Sequence, residues 1–312
     1  MQELDAAAVK GLLEGQGYIA EAEVVTAVFL AHALQKPLLI EGPAGVGKTE
    51  IAKAMASALD TELIRLQCYE GLDASTALYE WNYQRQLLHL KMMEGRADAG
   101  DGKSLAEKEE AIFGEDFLLK RPLLRAITHH RRPVLLIDEL DRADEEFESF
   151  LLEILAEWQI SIPELGPVKA EHVPYVVLTS NRTRELSEAV RRRCLYLWID
   201  YPEFAKEVAI VHRRVPGASA ELAEQVCRFM ETVRQAGFDK APGVAETLDW
   251  ARALVALHRD RLDPEVVEQT LGIVFKDRGD IEQARESLAE FLERVGVRTR
   301  LADGGPHGPR PD

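Results

Sequence analysis

Gly42-Pro43-Ala44-Gly45-Val46-Gly47-Lys48-Thr49 is the stretch of this 312-residue chain whose residue types and spacing point most directly at chemistry. Glycines so spaced let the backbone curl until successive N–H groups converge on an anion. A helix that starts where the loop ends adds a partial positive charge. In this reading Lys48 reaches the outer phosphates of a nucleotide and the Thr49 hydroxyl meets Mg²⁺. Pro43, Ala44 and Val46 complete the loop, and Glu50 follows it. Leu38-Leu39-Ile40 before the loop reads as a buried strand, and Glu50 to Ala56 after it as a helix. Strand, glycine-rich loop and helix is the setting a phosphate-binding loop requires, and a plain glycine turn leaves the full eight-residue pattern unexplained.

A nucleotide loop needs acids. Val134-Leu135-Leu136-Ile137 reads as a second buried strand and runs into Asp138-Glu139. Asp138 is placed to hold the Mg²⁺ shell and Glu139 to polarise an attacking water. Tyr175 to Ser180 is a further apolar strand, and it ends at Asn181.

The elements that must position these residues follow from periodicity and punctuation. Helices are expected to about Gly15 and over Glu21–Leu34, 84–93, 117–129, Glu145–Glu157 and 187–192. Strands are expected at 63–68, 159–162 and 195–199, with a turn or hairpin at 163–173. Residues 94–110 read as a flexible loop that becomes helical. After Tyr201-Pro202 no strand is evident, and helices are expected at 203–213, 219–236, 244–259, 264–275 and 280–295. The expected organisation is an α/β domain over 1–201, a helical domain over 202–297, and a disordered tail over 298–312, where Gly304-Gly305-Pro306 and Pro309 fall.

Composition narrows the classes. Apolar residues are 46% and charged residues 29% of the chain, as in ordinary globular proteins. A formal net charge of -16 counts against a general attraction to nucleic acid or to anionic membranes. Cys68, Cys194 and Cys227 are far apart and lack metal spacing, which suits a reduced interior. The acidic N-terminus shows no signal-peptide pattern, and the apolar run Val24–Ala33 is too short to span a bilayer. A cytoplasmic protein is expected.

The loop, the Asp-Glu pair and the strand-ending Asn together resemble the AAA+ ATPases. Asp138-Glu139-Leu140-Asp141-Arg142-Ala143, then Leu151-Leu152-Glu153, is similar to the MoxR family's Asp-Glu-x-Asn-Arg-Ala and Leu-Leu-Glu. Asp141 departs from the usual Asn. Leu186-Ser187-Glu188-Ala189-Val190-Arg191-Arg192-Arg193-Cys194 resembles the same family's Leu-Pro-Glu-Ala-x-x-Asp-Arg-Phe. The Tyr18 stretch, Tyr79 to Tyr83, and Arg191 to Cys194 look most like the branch associated with carbon monoxide dehydrogenase maturation. The resemblance covers about residues 17–296.

The resemblance implies a P-loop α/β core with a parallel sheet and a helical lid, ATP and Mg²⁺, and a ring of subunits, most often six. It implies that Asn181 is the sensor that helps place the water. It implies that Arg193, with Arg192 in reserve, reaches a neighbour's nucleotide as an arginine finger; a solvated basic helix end is the plain alternative. Arg142 either faces a neighbouring site or pairs with Asp141 or Glu145. Tyr18 and Ile19 match the adenine-packing position, and a core staple is an equal reading. The lid stretch Ala241-Pro242-Gly243-Val244-Ala245-Glu246 lacks the family's lid arginine, and Arg252 is one replacement. Tyr79, Trp81 and Tyr83 present a partner-binding loop or a local apolar cluster. The implied function is ATP-driven remodelling of a client, with a von Willebrand factor A domain partner, in maturing a molybdenum hydroxylase. A nucleotide switch without turnover and a DNA-acting motor are the alternatives. Intact Asp138, Glu139 and Asn181 count against the first, and the acidic charge against the second.

Overall fold

The computed structural model of the protein describes residues 5–97, 113–163 and 165–297. The tail expected at 298–312 and most of the loop expected at 94–110 lie outside the described residues. The chain divides into two compact units: Met1–Gly42 with Lys48–Ile199, and Pro43–Gly47 with Asp200–Asp312.

The first unit is built on five short strands: β1 (Leu38–Glu41), β2 (Leu63–Gln67), β5 (Val134–Asp138), β8 (Tyr175–Ser180) and β9 (Leu195–Trp198). They form one sheet in the order β2-β5-β8-β1-β9, and every neighbouring pair is parallel. Near-continuous apolar runs such as Leu38-Leu39-Ile40, which are fully buried, suit a parallel sheet covered by helices. Three helices contribute to that cover. α2 (Ala22–Leu34) packs on β1 and β9, α3 (Lys48–Ala58) on β2, β5 and β8, and a helix at Pro122–Ile127 on β2 and β5.

Register does the positioning. Gln67 lies beside Asp138, Ile137 beside Leu178, and Glu41 beside Ser180. The carboxyl ends of β1, β2, β5 and β8 therefore open on one edge, and everything that leaves those ends meets there. The chain also changes direction across the sheet at β1, which lies between β8 and β9. In open α/β sheets, ligands bind beyond the carboxyl ends at such a point.

Two short antiparallel pairs decorate the core. β6 (Gln159–Ile162) pairs with β7 (Gly166–Lys169), so the strand expected at 159–162 forms a hairpin with part of the stretch expected as a turn or hairpin at 163–173. β3 (Tyr79–Trp81) pairs with β4 (Leu118–Lys120), and this corrects the helix expected over 117–129. Only Pro122–Ile127 is helical there, with Pro122 at its first position, where a missing N–H does no harm. Trp81 is buried against Phe113, with ring centroids 5.3 Å apart. It belongs to the core cluster and not to an exposed loop, while Tyr83 begins the next helix and is exposed.

The second unit packs helices at Phe204–Arg214, Ala220–Gln235, Val244–Ala256 and Pro264–Val274 around Phe229, Trp250 and Phe275. Trp250 donates its indole N–H to the Thr270 hydroxyl at 2.8 Å, so its one polar atom is satisfied in the core. The single helix expected over 280–295 is two, Arg278–Glu286 and Leu288–Val295, broken at Ser287. Among the described residues, no helix is long and apolar enough to cross a membrane.

At the end of β1 the chain turns under a strict spatial limit. Gly42 has φ 157°, and a Cβ built on it would lie 1.9 Å from the carbonyl oxygen of Ile199. Backbone on both sides cannot give way as a flexible side chain does. Gly42→Ala is expected to lose about 2 kcal/mol of stability, in the range of other over-packed sites. Urea unfolding of the two proteins measures this, and an equal midpoint would refute the constraint.

Candidate phosphate-loop site

Lys48 is the first residue of α3 and is buried. Its ammonium donates to the Gly42 carbonyl at 2.8 Å and to Asn181 Oδ1 at 2.7 Å. One cation thus ties the start of the loop to the end of β8. Burial pushes Lys48 below its ordinary pKa, and the carboxylates of Asp141, Asp138 and Glu139 pull it back up.

Thr179, one residue before the end of β8, joins the two acids. Its hydroxyl donates to Asp138 Oδ1 at 2.5 Å and accepts from the Glu139 amide at 3.0 Å. Asp138 is only 3% exposed, and its second oxygen accepts from Arg65 at 2.5 Å. Glu139 sits in the left-handed region, φ 55° and ψ 48°. For a residue with a Cβ that conformation costs on the order of 1 kcal/mol, and it concentrates at functional sites. It swings the chain off the strand into the tight turn Leu140–Arg142. The Glu139 carboxylate accepts from Gln67 Nε2 at 2.9 Å and lies 3.3 Å from Arg142. Arg142 therefore pairs with Glu139, where the alternatives weighed were a neighbouring site or a pair with Asp141 or Glu145.

Asp141, the departure from the usual Asn, is buried and accepts three hydrogen bonds. They come from the Asn181 amide at 3.2 Å, the Thr183 amide at 2.9 Å and the Thr183 hydroxyl at 2.7 Å. Burial alone would raise its pKa, but these donors outweigh it and hold the carboxyl below its ordinary value. Asp141 thereby fixes the backbone of Asn181, whose side chain holds Lys48.

The other expected residues are placed as follows. Thr49 and Glu50 occupy the first turn of α3, half-buried, and Glu50 pairs with Lys53 at 2.7 Å. Tyr18 and Ile19 are half-buried between α1 (Ala6–Gly15) and α2. Burial pushes the Tyr18 phenol well above its ordinary pKa, with Glu21 and Glu50 adding to it, so Tyr18 lies close enough to α3 to feel Glu50. Arg191, Arg192 and Arg193 end the short helix Glu188–Arg193. Arg192 pairs with Glu188 at 2.6 Å, and Arg191 stands 3.8 Å from Glu41. Arg193 is exposed, and among the described residues no carboxylate pairs with it.

Pro43–Gly47 pack within the second unit. The Gly45 carbonyl accepts from the amides of Val244 and Ala245 at 2.9 and 3.3 Å. A Cβ on Gly243 would lie 2.7 Å from Gly45 Cα and 2.8 Å from the Ala44 carbonyl. No side chain, an arginine's included, fits at Gly243. Arg252, the other candidate, is half-exposed and pairs with Asp249 at 3.0 Å.

Reasoning from sequence missed Arg65, Gln67 and Thr179. Their signal was present in Leu63-Ile64-Arg65-Leu66-Gln67, where polar residues alternate with buried ones, and in the polar end of β8. The Thr49 hydroxyl and the Asp138 carboxylate are hard oxygen donors of the kind Mg²⁺ takes, usually one or two carboxylates beside phosphate oxygens. The buried Lys48 ammonium at the loop suits phosphate charge. The donor set fits a magnesium nucleotide.

Residues 37–194, just over half of the chain, match the family described as AAA domain (dynein-related subfamily). The chain belongs to that family. AAA domains are nucleotide-binding ATPase modules, and AAA+ proteins commonly assemble as rings. An uncharacterized protein of Staphylococcus haemolyticus (strain JCSC1435) is 23% identical over 266 residues, covering 83% of this chain and 90% of that protein. One from Staphylococcus aureus (strain bovine RF122 / ET3-1) is 24% identical over the same shares. Among solved structures, the Thermotoga maritima RuvB Holliday junction branch migration motor is 17% identical. The match covers 93% of this chain and 82% of that one, with a TM-score of 0.45.

The Asp141 cluster of this AAA domain yields a stability test. Asp141→Asn removes one acceptor oxygen and leaves at least one of three donors unmatched, which costs about 1–3 kcal/mol. Because the folded-state pKa is depressed, the carboxylate's contribution is complete above the ordinary aspartate value, near 4. It is lost as pH falls through the folded value. Urea unfolding is expected to show a constant gap between the two proteins from pH 7 to 5 and a narrowing gap below about pH 4. Equal stability at pH 7 would remove this role of Asp141.

Proposed function

We propose that this chain is an ATP-hydrolysing remodelling protein of the MoxR type, with residues 1–201 as the ATPase core and 202–297 as a helical lid. The observation that carries the ATPase reading is the Lys48 ammonium held between Gly42 and Asn181 beside the Asp138-Glu139 pair. Loop residues 42–47 and Lys48 bind the phosphates, Thr49 and Asp138 hold the metal shell, and Tyr18 and Ile19 pack the adenine. Mg²⁺, when bound, neutralises phosphate charge and orients the phosphates. Glu139 takes the proton of the attacking water as oxygen bonds to the γ-phosphorus and the bond to the β-phosphate oxygen breaks. Asn181 orients that water. The left-handed Glu139 backbone and the Gln67 contact support a preset carboxylate.

The finer reading rests on motif resemblance. Asp138 to Ala143, Leu151-Leu152-Glu153 and Leu186 to Cys194 support the MoxR type. The Tyr18 stretch, Tyr79 to Tyr83 and Arg191 to Cys194 support the branch tied to molybdenum hydroxylases of the carbon monoxide dehydrogenase kind. The proposed partners are a von Willebrand factor A domain protein and such a client. The proposed assembly is a ring, most simply a hexamer, in the cytoplasm, with Arg193 reaching a neighbour's γ-phosphate. Its exposure, with no carboxylate partner among the described residues, supports that role.

Two sets of variants test this. Lys48→Ala should lose ATP binding in calorimetry, because it removes the cation of the loop. Glu139→Gln should bind ATP normally and release phosphate about 10²- to 10⁴-fold more slowly, as expected for loss of a general base. Normal turnover by Glu139→Gln would sink the assignment.

Arg193→Ala should bind ATP and assemble but turn over on the order of 10³-fold more slowly. Mixing it with Lys48→Ala should recover part of the activity, because some interfaces then pair an intact Lys48 and Glu139 with a neighbour's intact Arg193. Wild-type hydrolysis by assembled Arg193→Ala would move the finger elsewhere, to Arg192 first.

A further inference from the structure

Asp138 has both carboxylate oxygens engaged, and the two engagements differ in kind. Oδ1 accepts from the Thr179 hydroxyl at 2.5 Å, and that hydroxyl is buried and also fixed by the Glu139 amide. Oδ2 accepts from the Arg65 guanidinium at 2.5 Å, and the Arg65 side chain is 54% exposed. Arg65 lies on β2, an edge strand of the sheet, on the same row as Gln67, to whose amide oxygen it also donates. Gln67 turns its amide nitrogen to Glu139 at 2.9 Å. One exposed row of β2 thus touches both acids.

We propose that Arg65 is a built-in competitor for the divalent cation at Asp138: it holds Oδ2 while the metal is absent and yields it to the metal shell on loading. The proposal rests on the reading of Asp138 as part of that shell. A buried carboxylate without a counter-charge is strongly disfavoured. A half-exposed guanidinium loses little on returning to water, because such pairs are weak. Oδ1 has a buried, doubly bonded partner, so Oδ2 is the oxygen that can change hands. Two like charges, the guanidinium and the metal, cannot both sit on it without repulsion. The other charges at this point are fixed elsewhere: Lys48 on Gly42 and Asn181, Arg142 on Glu139, and Asp141 on Thr183 and Asn181. Arg65 therefore sets the metal threshold of the site, and Gln67 does not.

The test uses the full chain, a non-hydrolysable ATP analogue and Mn²⁺ as the metal probe, read by electron paramagnetic resonance. Arg65→Gln is expected to bind Mn²⁺ about 1.5- to fivefold more tightly, the span a half-exposed pair allows. Arg65→Lys keeps the charge and should stay near wild type. Gln67→Leu should leave Mn²⁺ affinity unchanged, while slowing turnover through Glu139. Unchanged or weaker Mn²⁺ binding in Arg65→Gln, with the folded state confirmed by circular dichroism, overturns the competitor role alone. Asp138→Asn with undiminished Mn²⁺ binding would overturn the reading of Asp138 on which it rests.

Discussion

The site depends on one desolvated ammonium. Lys48 is buried at the start of α3, and its three protons need acceptors that water does not supply. Gly42 and Asn181 provide two, at 2.8 and 2.7 Å. Gly42 is the first residue after β1 and Asn181 the first after β8, and β1 and β8 are neighbours in register. The ammonium therefore has its acceptors only if both strands end at the same level. A slip of one residue in either would move one acceptor by more than a hydrogen-bond length, because strands rise about 3.3 Å per residue.

The same edge gathers negative charge. Asp138, Glu139 and Asp141 all act electrostatically on Lys48. Three carboxylates so close repel one another unless each has donors of its own. Each has them. Thr179 and Arg65 serve Asp138, Gln67 and Arg142 serve Glu139, and Thr183 with the Asn181 amide serves Asp141. Most of these donors come from a neighbouring strand or from the turn just past one. The sheet thus stabilises the acids by the geometry that also brings them together, and its parallel direction is what makes that sharing available.

Local chemistry was legible in the sequence, and non-local pairing was not. The loop, the Asp-Glu step and the strand-ending Asn are each defined within a few residues, so pattern alone located them. Helices such as Glu145–Glu157 were readable because Asp144 caps the first turn, accepting from the Phe147 amide at 2.8 Å, and the apolar stripe repeats at helical spacing. Leu118–Lys120 defeated the same method because its strand character comes from pairing with Tyr79–Trp81, far back in the chain. Arg65 and Gln67 were hidden for a related reason. Their alternation marks an exposed row, but only the β2–β5 register shows that the row faces Asp138 and Glu139. Trp81 was left between two readings because an aromatic beside polar residues looks the same whether its neighbours later bury it or leave it out.

Gly243 marks a close approach of two backbones. The amides of Val244 and Ala245 are the first of a helix, where N–H groups lack partners within the helix. Here they are satisfied by the Gly45 carbonyl, and the backbones approach so closely that even a methyl group at Gly243 collides with Gly45 Cα and the Ala44 carbonyl. In this arrangement the stretch holds the Gly45 carbonyl through backbone and leaves no room for a side chain at Gly243. On the proposed reading, transition-state charge must then be met by other groups. Lys48 is already in place, and Arg252 is bound to Asp249 on the helix surface. Any further cation from this chain must be one that is exposed and not already committed to a carboxylate of its own subunit. Among the three arginines closing Glu188–Arg193, that description fits Arg193, whereas Arg192 is held by Glu188 and Arg191 faces Glu41. On the proposed reading, the close approach at Gly243 and the exposure of Arg193, which pairs with no carboxylate among the described residues, both favour a compensating charge that comes from a neighbouring subunit.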